Sequence, residues 1–147
     1  MKETIKKIFY KKKLFAYVVH EKKFIKSGVD FVTPNFFTLQ LGFIKHKTGY
    51  LVKPHTHKKF LRKIKKTTEI LFIKSGILRV DFYLNKKKYL FSYLAKKNHI
   101  LILIDGSHGF KVIKKCKIIE VKQGPFSSFL DKTRFNSIDE KKIKIKK

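Results

Sequence analysis

Tryptophan is absent from this chain of 147 residues, cysteine occurs once, and only ten acidic side chains face 37 basic ones. The single Cys116 excludes a disulfide framework or a cysteine-based zinc cluster within one chain. It lies between lysines at the start of an apolar segment and reads as a structural thiol rather than a nucleophile. Long apolar runs are missing too: "ILILI" at 100–104 is far short of the roughly 20 residues that cross a bilayer. The opening "MKETIKKIFYKKKLF" scatters charge where a signal peptide would carry an uninterrupted apolar core, so a cytoplasmic protein with no membrane association is the expectation.

Arginine is scarce within the basic set. Three arginines, Arg62, Arg79 and Arg134, leave 34 lysines of the 37. Arginine is the residue whose planar fork reads phosphates and bases bidentately, so the formal charge of +27 does not by itself name nucleic acid as a partner. Lysine filling every tolerant surface position is the plainer account, and nucleic acid is not the expected partner.

What is present is an apolar content of 43%, with fifteen Phe and six Tyr, enough for one core. It is spread over short β-branched and aromatic segments: 14–19, 36–44, 49–52, 69–73, 77–84, 88–94, 99–104, 110–113 and 117–122. Turn formers such as Ser75-Gly76, Asn85 and Asp105-Gly106 separate them, a spacing that predicts an all-β sandwich or barrel. In "ILRVDFYL", Leu78, Val80, Phe82 and Leu84 share one face and Arg79, Asp81 and Tyr83 the other. "ILILI" has no polar face and is expected to be buried on both sides. At most one short helix is predicted, near Asp131 to Asn136, and the basic tail, 136–147, is expected to be disordered.

Candidate site residues are few. On a strand, His55 and His57 would project from one face about 6–7 Å apart. Glu69 opens an apolar strand, where a carboxylate without a partner is costly. His108 follows the turn "IDGS". If the strands form a meander, three imidazoles and one carboxylate line one interior, a donor set suited to a divalent first-row metal. Each signal has a plainer reading, a solvated histidine pair in a basic loop and an ion pair between Glu69 and a lysine. His20, His46 and His99 read as surface or turn residues. "IIEVKQGP" puts Glu120 and Lys122 on one face, with Glu120 a candidate base; Arg79, Tyr83, Tyr50 and Gln40 are further candidates for contact with a polar ligand.

The order of these residues resembles a known family. Gly49, His55, His57, Glu69 and Gly76 follow the first cupin motif, with eleven residues between His57 and Glu69 where the family has three or four. In "KNHILILIDGSHGFKV", His108 takes the histidine position of the second motif, while Lys97, Leu103, Asp105 and Val112 stand where Gly, Pro, Gly and Asn are usual. "HTHK", "EILFIKSGILRVDFY", "GSHGF", "EVKQGPF" and "DKTRF" together are similar to small bacterial cupins associated with surface-polysaccharide or nucleotide-sugar genes, over about residues 40–135. The resemblance implies a cupin-type double-stranded β-helix, a small jelly-roll barrel. The chain's length predicts a single domain over 1–135, with the cupin core at about 40–126 and 1–35 adding strands or a dimer arm. The resemblance further implies a divalent iron, manganese, zinc or nickel ion on His55, His57, Glu69 and His108, a homodimer, and a small polar or anionic ligand such as a sugar or nucleotide sugar. Three functions are open: a metal-dependent enzyme on such a molecule, a noncatalytic binding or regulatory module, and a basic nucleic-acid-binding β-domain.

Overall fold

A computed structural model describes residues 5–20, 27–85, 88–127 and 131–146. It is all-β, as the segment spacing predicts. The strands are β1 (Ile5–Tyr10), β2 (Lys13–His20), β3 (Gly28–Phe31), β4 (Gly42–Lys45), β5 (Glu69–Leu84), β6 (Lys88–Lys96), β7 (His99–Leu103) and β8 (Ser107–Lys122). The main sheet is antiparallel, in the order β1-β2-β7-β5-β6, with β8 on the other edge of β5; β3 and β4 form a separate hairpin. Residues 5–10, 13–20 and 28–31 therefore contribute strands, the first two of them in the main sheet.

Several predicted strands are halves of longer ones. The 69–73 and 77–84 segments are one strand of 16 residues, and 110–113 and 117–122 are both parts of β8. Ser75-Gly76 is not a turn between strands but a bend inside β5. Gly76 has φ +81°, and a Cβ there would strike the backbone carbonyls of Lys114 and Lys115, so the close approach of β8 requires glycine. Register shifts on either side of Ser75 and at Ile77 mark the same bend. β6 and β7 form one arm opposite β5, kinked at Asn98 (φ 67°), whose N–H donates to Ile73 O at 3.0 Å.

The register forces β5 to curl. Leu103 pairs with Glu69 at the start of β5, and Ser107 pairs with Tyr83 near its end. A straight strand would separate Glu69 from Tyr83 by about 46 Å, at about 3.3 Å per residue. The four chain steps from 103 to 107 reach no more than about 14 Å. The two ends of β5 must therefore come round toward each other, and the sheet becomes a strongly curled half-barrel.

Alternation then sorts the core. Leu71, Ile73, Leu78, Val80, Phe82, Leu101 and Leu103 pack with Ile8, Phe15, Ala16 and Val18 inside the curl. Tyr17, Val19, Ile70, Ile100 and Ile102 pack on the outer face with Leu41, Phe37 and Phe43. Ile100 to Leu103 are buried on both sides, as expected of a run without a polar face. Each fully buried Leu, Ile or Phe contributes about 1.5–3 kcal/mol. Among the described residues β8 pairs only with β5, and it carries Lys111, Lys114, Lys115, Lys117 and Lys122, a charged edge of the kind that discourages strand addition.

Three further expectations are corrected. Residues 46–68, placed partly on a strand by sequence, contain none, and 47–67 are exposed throughout. Residues 131–136 are not helical; the one short helix of the described residues is a single 3-10 turn over Glu140–Lys142. The tail, expected to be disordered, is ordered over 136–146 because the polar face of β5 gives it partners. Ile138 N–H donates to Tyr83 Oη, Glu140 meets Arg79, and Lys144 and Lys146 bond the backbone of Ser92.

Candidate functional site

A cavity of about 1050 Å³, open to solvent, lies against both ends of β5, between the start of that strand, the first residues of β8 and the chain at 131–140. Glu69 enters from one end of β5. His108, opposite Phe82, enters from the other. His108 Nε2 donates to Glu69 Oε2 at 3.0 Å, and Lys132 Nζ approaches Glu69 Oε1 at 3.5 Å. Glu69 is only 5% exposed. The His108 hydrogen bond, with the charge of Lys132, holds its carboxyl below the usual carboxylate range in spite of burial. Phe110 lies against the His108 ring, with centroids 5.1 Å apart.

Ion pairs line the rest of the cavity wall. Asp105 takes Lys66 at 2.8 Å and Lys13 at 3.2 Å. Asp131 takes Lys122 at 3.2 Å and the Ser127 N–H. Arg79 is held by Asp81 through Nε at 2.8 Å and Nη2 at 3.0 Å, and by Glu140 through Nη1 at 2.8 Å and Nη2 at 2.9 Å. Lys111 Nζ also reaches Glu140, at 2.9 Å. Glu140 is drawn down to about 2 by Arg79 and Lys111. Lys65 and Arg134 also line the cavity and have no carboxylate partner among the described residues.

The expected site residues divide. Glu69, His108, Arg79, Tyr83 and Lys122 line the cavity together. His55 and His57 do not: they lie on the exposed 47–67 segment, their rings 5.2 Å apart, with His55 Nδ1 bonded to Lys53 O at 3.1 Å. Tyr50 is stacked on His46 at 3.9 Å, away from the cavity. Gln40 bonds Pro34 O. Glu120 is exposed on β8 and outside the cavity lining. A first-row metal centre needs three or four ligands. Glu69 and His108 offer two, bonded to each other, and among the described residues no group of three or more His, Cys, Asp or Glu comes together. As placed, His55, His57, Glu69 and His108 do not form such a centre.

His20 and His99, expected as surface or turn residues, instead face each other across β2 and β7 with Nε2 atoms 3.1 Å apart. Tyr93 stacks on His99, and burial with the neighbouring His20 and Lys96 pushes His99 down to about 4.

Sequence reasoning missed Lys13, Lys66, Asp105, Lys111, Asp131, Lys132, Arg134 and Glu140. One signal was available. Five of the chain's ten acidic residues, Glu69, Asp81, Asp105, Asp131 and Glu140, line this one cavity. In so basic a chain, a carboxylate is the rarer charge and marks where charges are paired.

Among the described residues no helix is long and apolar enough to cross a membrane. Comparison with protein-family models, with curated proteins and with solved structures gave no match.

Proposed function

We propose that the chain binds a small, polar, anionic molecule of the nucleotide-sugar class in the cavity at the ends of β5, and that the Glu69–His108 couple orients the ligand and moves a proton on it. The observation that carries this reading is a buried carboxylate bonded to a half-buried imidazole, opening on a cavity of about 1050 Å³ whose wall includes Lys65 and Arg134. That volume suits a ligand larger than a monosaccharide, since small-molecule sites run to about 1,000 Å³.

The chemistry follows from the donor pattern. Ionised Glu69 accepts from Nε2 of His108 and so fixes the ring; in the neutral ring Nδ1 is then the acceptor. A carboxylate holding an imidazole in one tautomer is the arrangement of a general base. The cations of the wall would meet phosphate, and Phe110 and Phe135 supply apolar and aromatic faces for a sugar ring. The resemblance to cupins found beside nucleotide-sugar genes supports the same ligand class.

The test is a thermal-shift panel of UDP-glucose, dTDP-glucose and GDP-mannose on the wild type and on His108→Gln, at about 0.15 M salt so that nonspecific attraction is screened. Stabilisation by at least one sugar nucleotide, reduced in His108→Gln, is expected. No shift with any of the three would remove the reading. Incubating the stabilising compound with the protein and following its sugar ring by NMR then separates an enzyme from a noncatalytic module.

A further inference from the structure

The C-terminal strap meets the cavity at one point of strong charge. Arg79 lies within β5 with its side chain 6% exposed, and Asp81 and Glu140 share its guanidinium fork. Asp81 is itself buried and accepts from Ser92 Oγ, so it belongs to the framework. Glu140 is different. Its side chain is 55% exposed, it comes from a single 3-10 turn without a buried residue, and it offers two oxygens to Arg79 and one of them also to Lys111. A carboxylate between a buried guanidinium fork and an ammonium occupies the position that a phosphate would take, because the fork matches both anions bidentately.

We infer that Arg79 and Lys111 form an anion subsite at one end of the cavity, occupied in the free protein by the chain's own Glu140, and that a phosphate-bearing ligand binds there by displacing it. This rests on the cavity being the ligand site and specifies where the ligand's phosphate sits. The strap has the anchors such an exchange needs. On one side of Glu140, Ile138 N–H bonds Tyr83 Oη at 3.1 Å. On the other, Lys144 and Lys146 are held by Ser92 and Tyr89. Only residues 139–143 need lift, and both neighbouring anchors remain. Because Glu140 is tethered, it competes at an effective concentration in the millimolar range, so the ligand must outbid a built-in rival and its apparent affinity is lowered accordingly.

Inorganic pyrophosphate is the probe, titrated by calorimetry at about 0.15 M salt into the wild type, Glu140→Gln and Lys111→Gln. Removing the rival charge is expected to tighten pyrophosphate binding about tenfold in Glu140→Gln, and Lys111→Gln is expected to weaken it severalfold. In the wild type, saturating pyrophosphate should speed backbone hydrogen exchange over residues 139–143 while leaving 144–146 protected. Equal or weaker binding by a folded Glu140→Gln protein would overturn the inference. So would wild-type protein that takes up pyrophosphate with unchanged exchange over 139–143, a result that does not depend on any variant folding, and so would no uptake at all. A sugar nucleotide that binds without competition from pyrophosphate would leave the cavity reading standing and remove this subsite. Displacement of the strap by pyrophosphate, with no sugar nucleotide bound, would do the reverse.

Discussion

His108 Nε2 stands 3.0 Å from Glu69 Oε2, although Glu69 opens β5 and His108 pairs with Phe82 near its other end. The contact exists because the strand between them curls, so it reports the curl as directly as it marks the site. Removing the imidazole leaves a carboxylate 5% exposed without its main donor. His108→Ala is expected to cost about 1–3 kcal/mol in urea unfolding at pH 7. In a cycle with Glu69→Gln, the two changes should be non-additive by about 0.5 kcal/mol or more. Glu69 is held below its ordinary value of 4.5, so the pair's contribution is complete above that value and is lost as pH falls through the lower folded value. Additive changes would mean that the pair contributes nothing.

Gly76 should be intolerant of any side chain. Its φ of +81° and the Lys114 and Lys115 carbonyls beside it oppose a Cβ both conformationally and sterically. Gly76→Ala is expected to destabilise by about 2–4 kcal/mol. Gly49 has a similar φ of +80° with nothing within 4 Å, so Gly49→Ala should cost only about 1 kcal/mol. Equal losses at the two positions would show that the bend in β5 does not depend on close contact with β8.

The His20–His99 pair predicts a loss of stability in mild acid. His99 is lowered to about 4, first by burial and then by His20 and Lys96. Between its ordinary 6.5 and about 4 the unfolded chain takes up a proton that the folded chain does not, so stability falls as pH falls through that window. The contribution is at most about 3 kcal/mol. Urea midpoints at pH 7.5 and pH 5 should converge in His99→Phe, which keeps an aromatic ring beside Tyr93; an unchanged pH slope in that variant would assign the acid loss elsewhere.

Deleting residues 137–147 tests the ordered tail. A disordered segment could be removed silently. Here the deletion uncovers Arg79 and Tyr83 and removes the bonds of Ser92 and Tyr89 to Lys144 and Lys146, so the melting temperature should drop by about 4 °C or more. An unchanged melting temperature would show that the strap does not hold the polar face of β5.

Much of the fold was legible in the residues because strand alternation is a local property. Leu78, Val80, Phe82 and Leu84 share the inner face as their spacing says, and Ile100 to Leu103 are buried on both sides for want of a polar face. The partner of each face was not legible. Arg79, Asp81 and Tyr83 alternate away from the core like a solvated face, yet all three are buried, because the tail folds over them. The site was legible in part. Glu69 announced itself as a carboxylate opening an apolar strand, and its partner is one of the histidines that spacing singled out. The segment bearing His55 and His57 carries apolar residues among its lysines, but Leu51, Phe60 and Leu61 stay exposed, so burial does not draw it onto a strand.

By itself the sequence determined the all-β class, most of the main-sheet strand segments and which side chains face together within them, since these follow from a period of two and from turn residues a few positions away. Tertiary structure alone decided that two predicted strands are one, that β5 bends at Gly76, and that Glu69 meets His108 while His55 and His57 do not. Those outcomes depend on register between strands far apart in the chain, where a shift of one residue exchanges the faces of a strand.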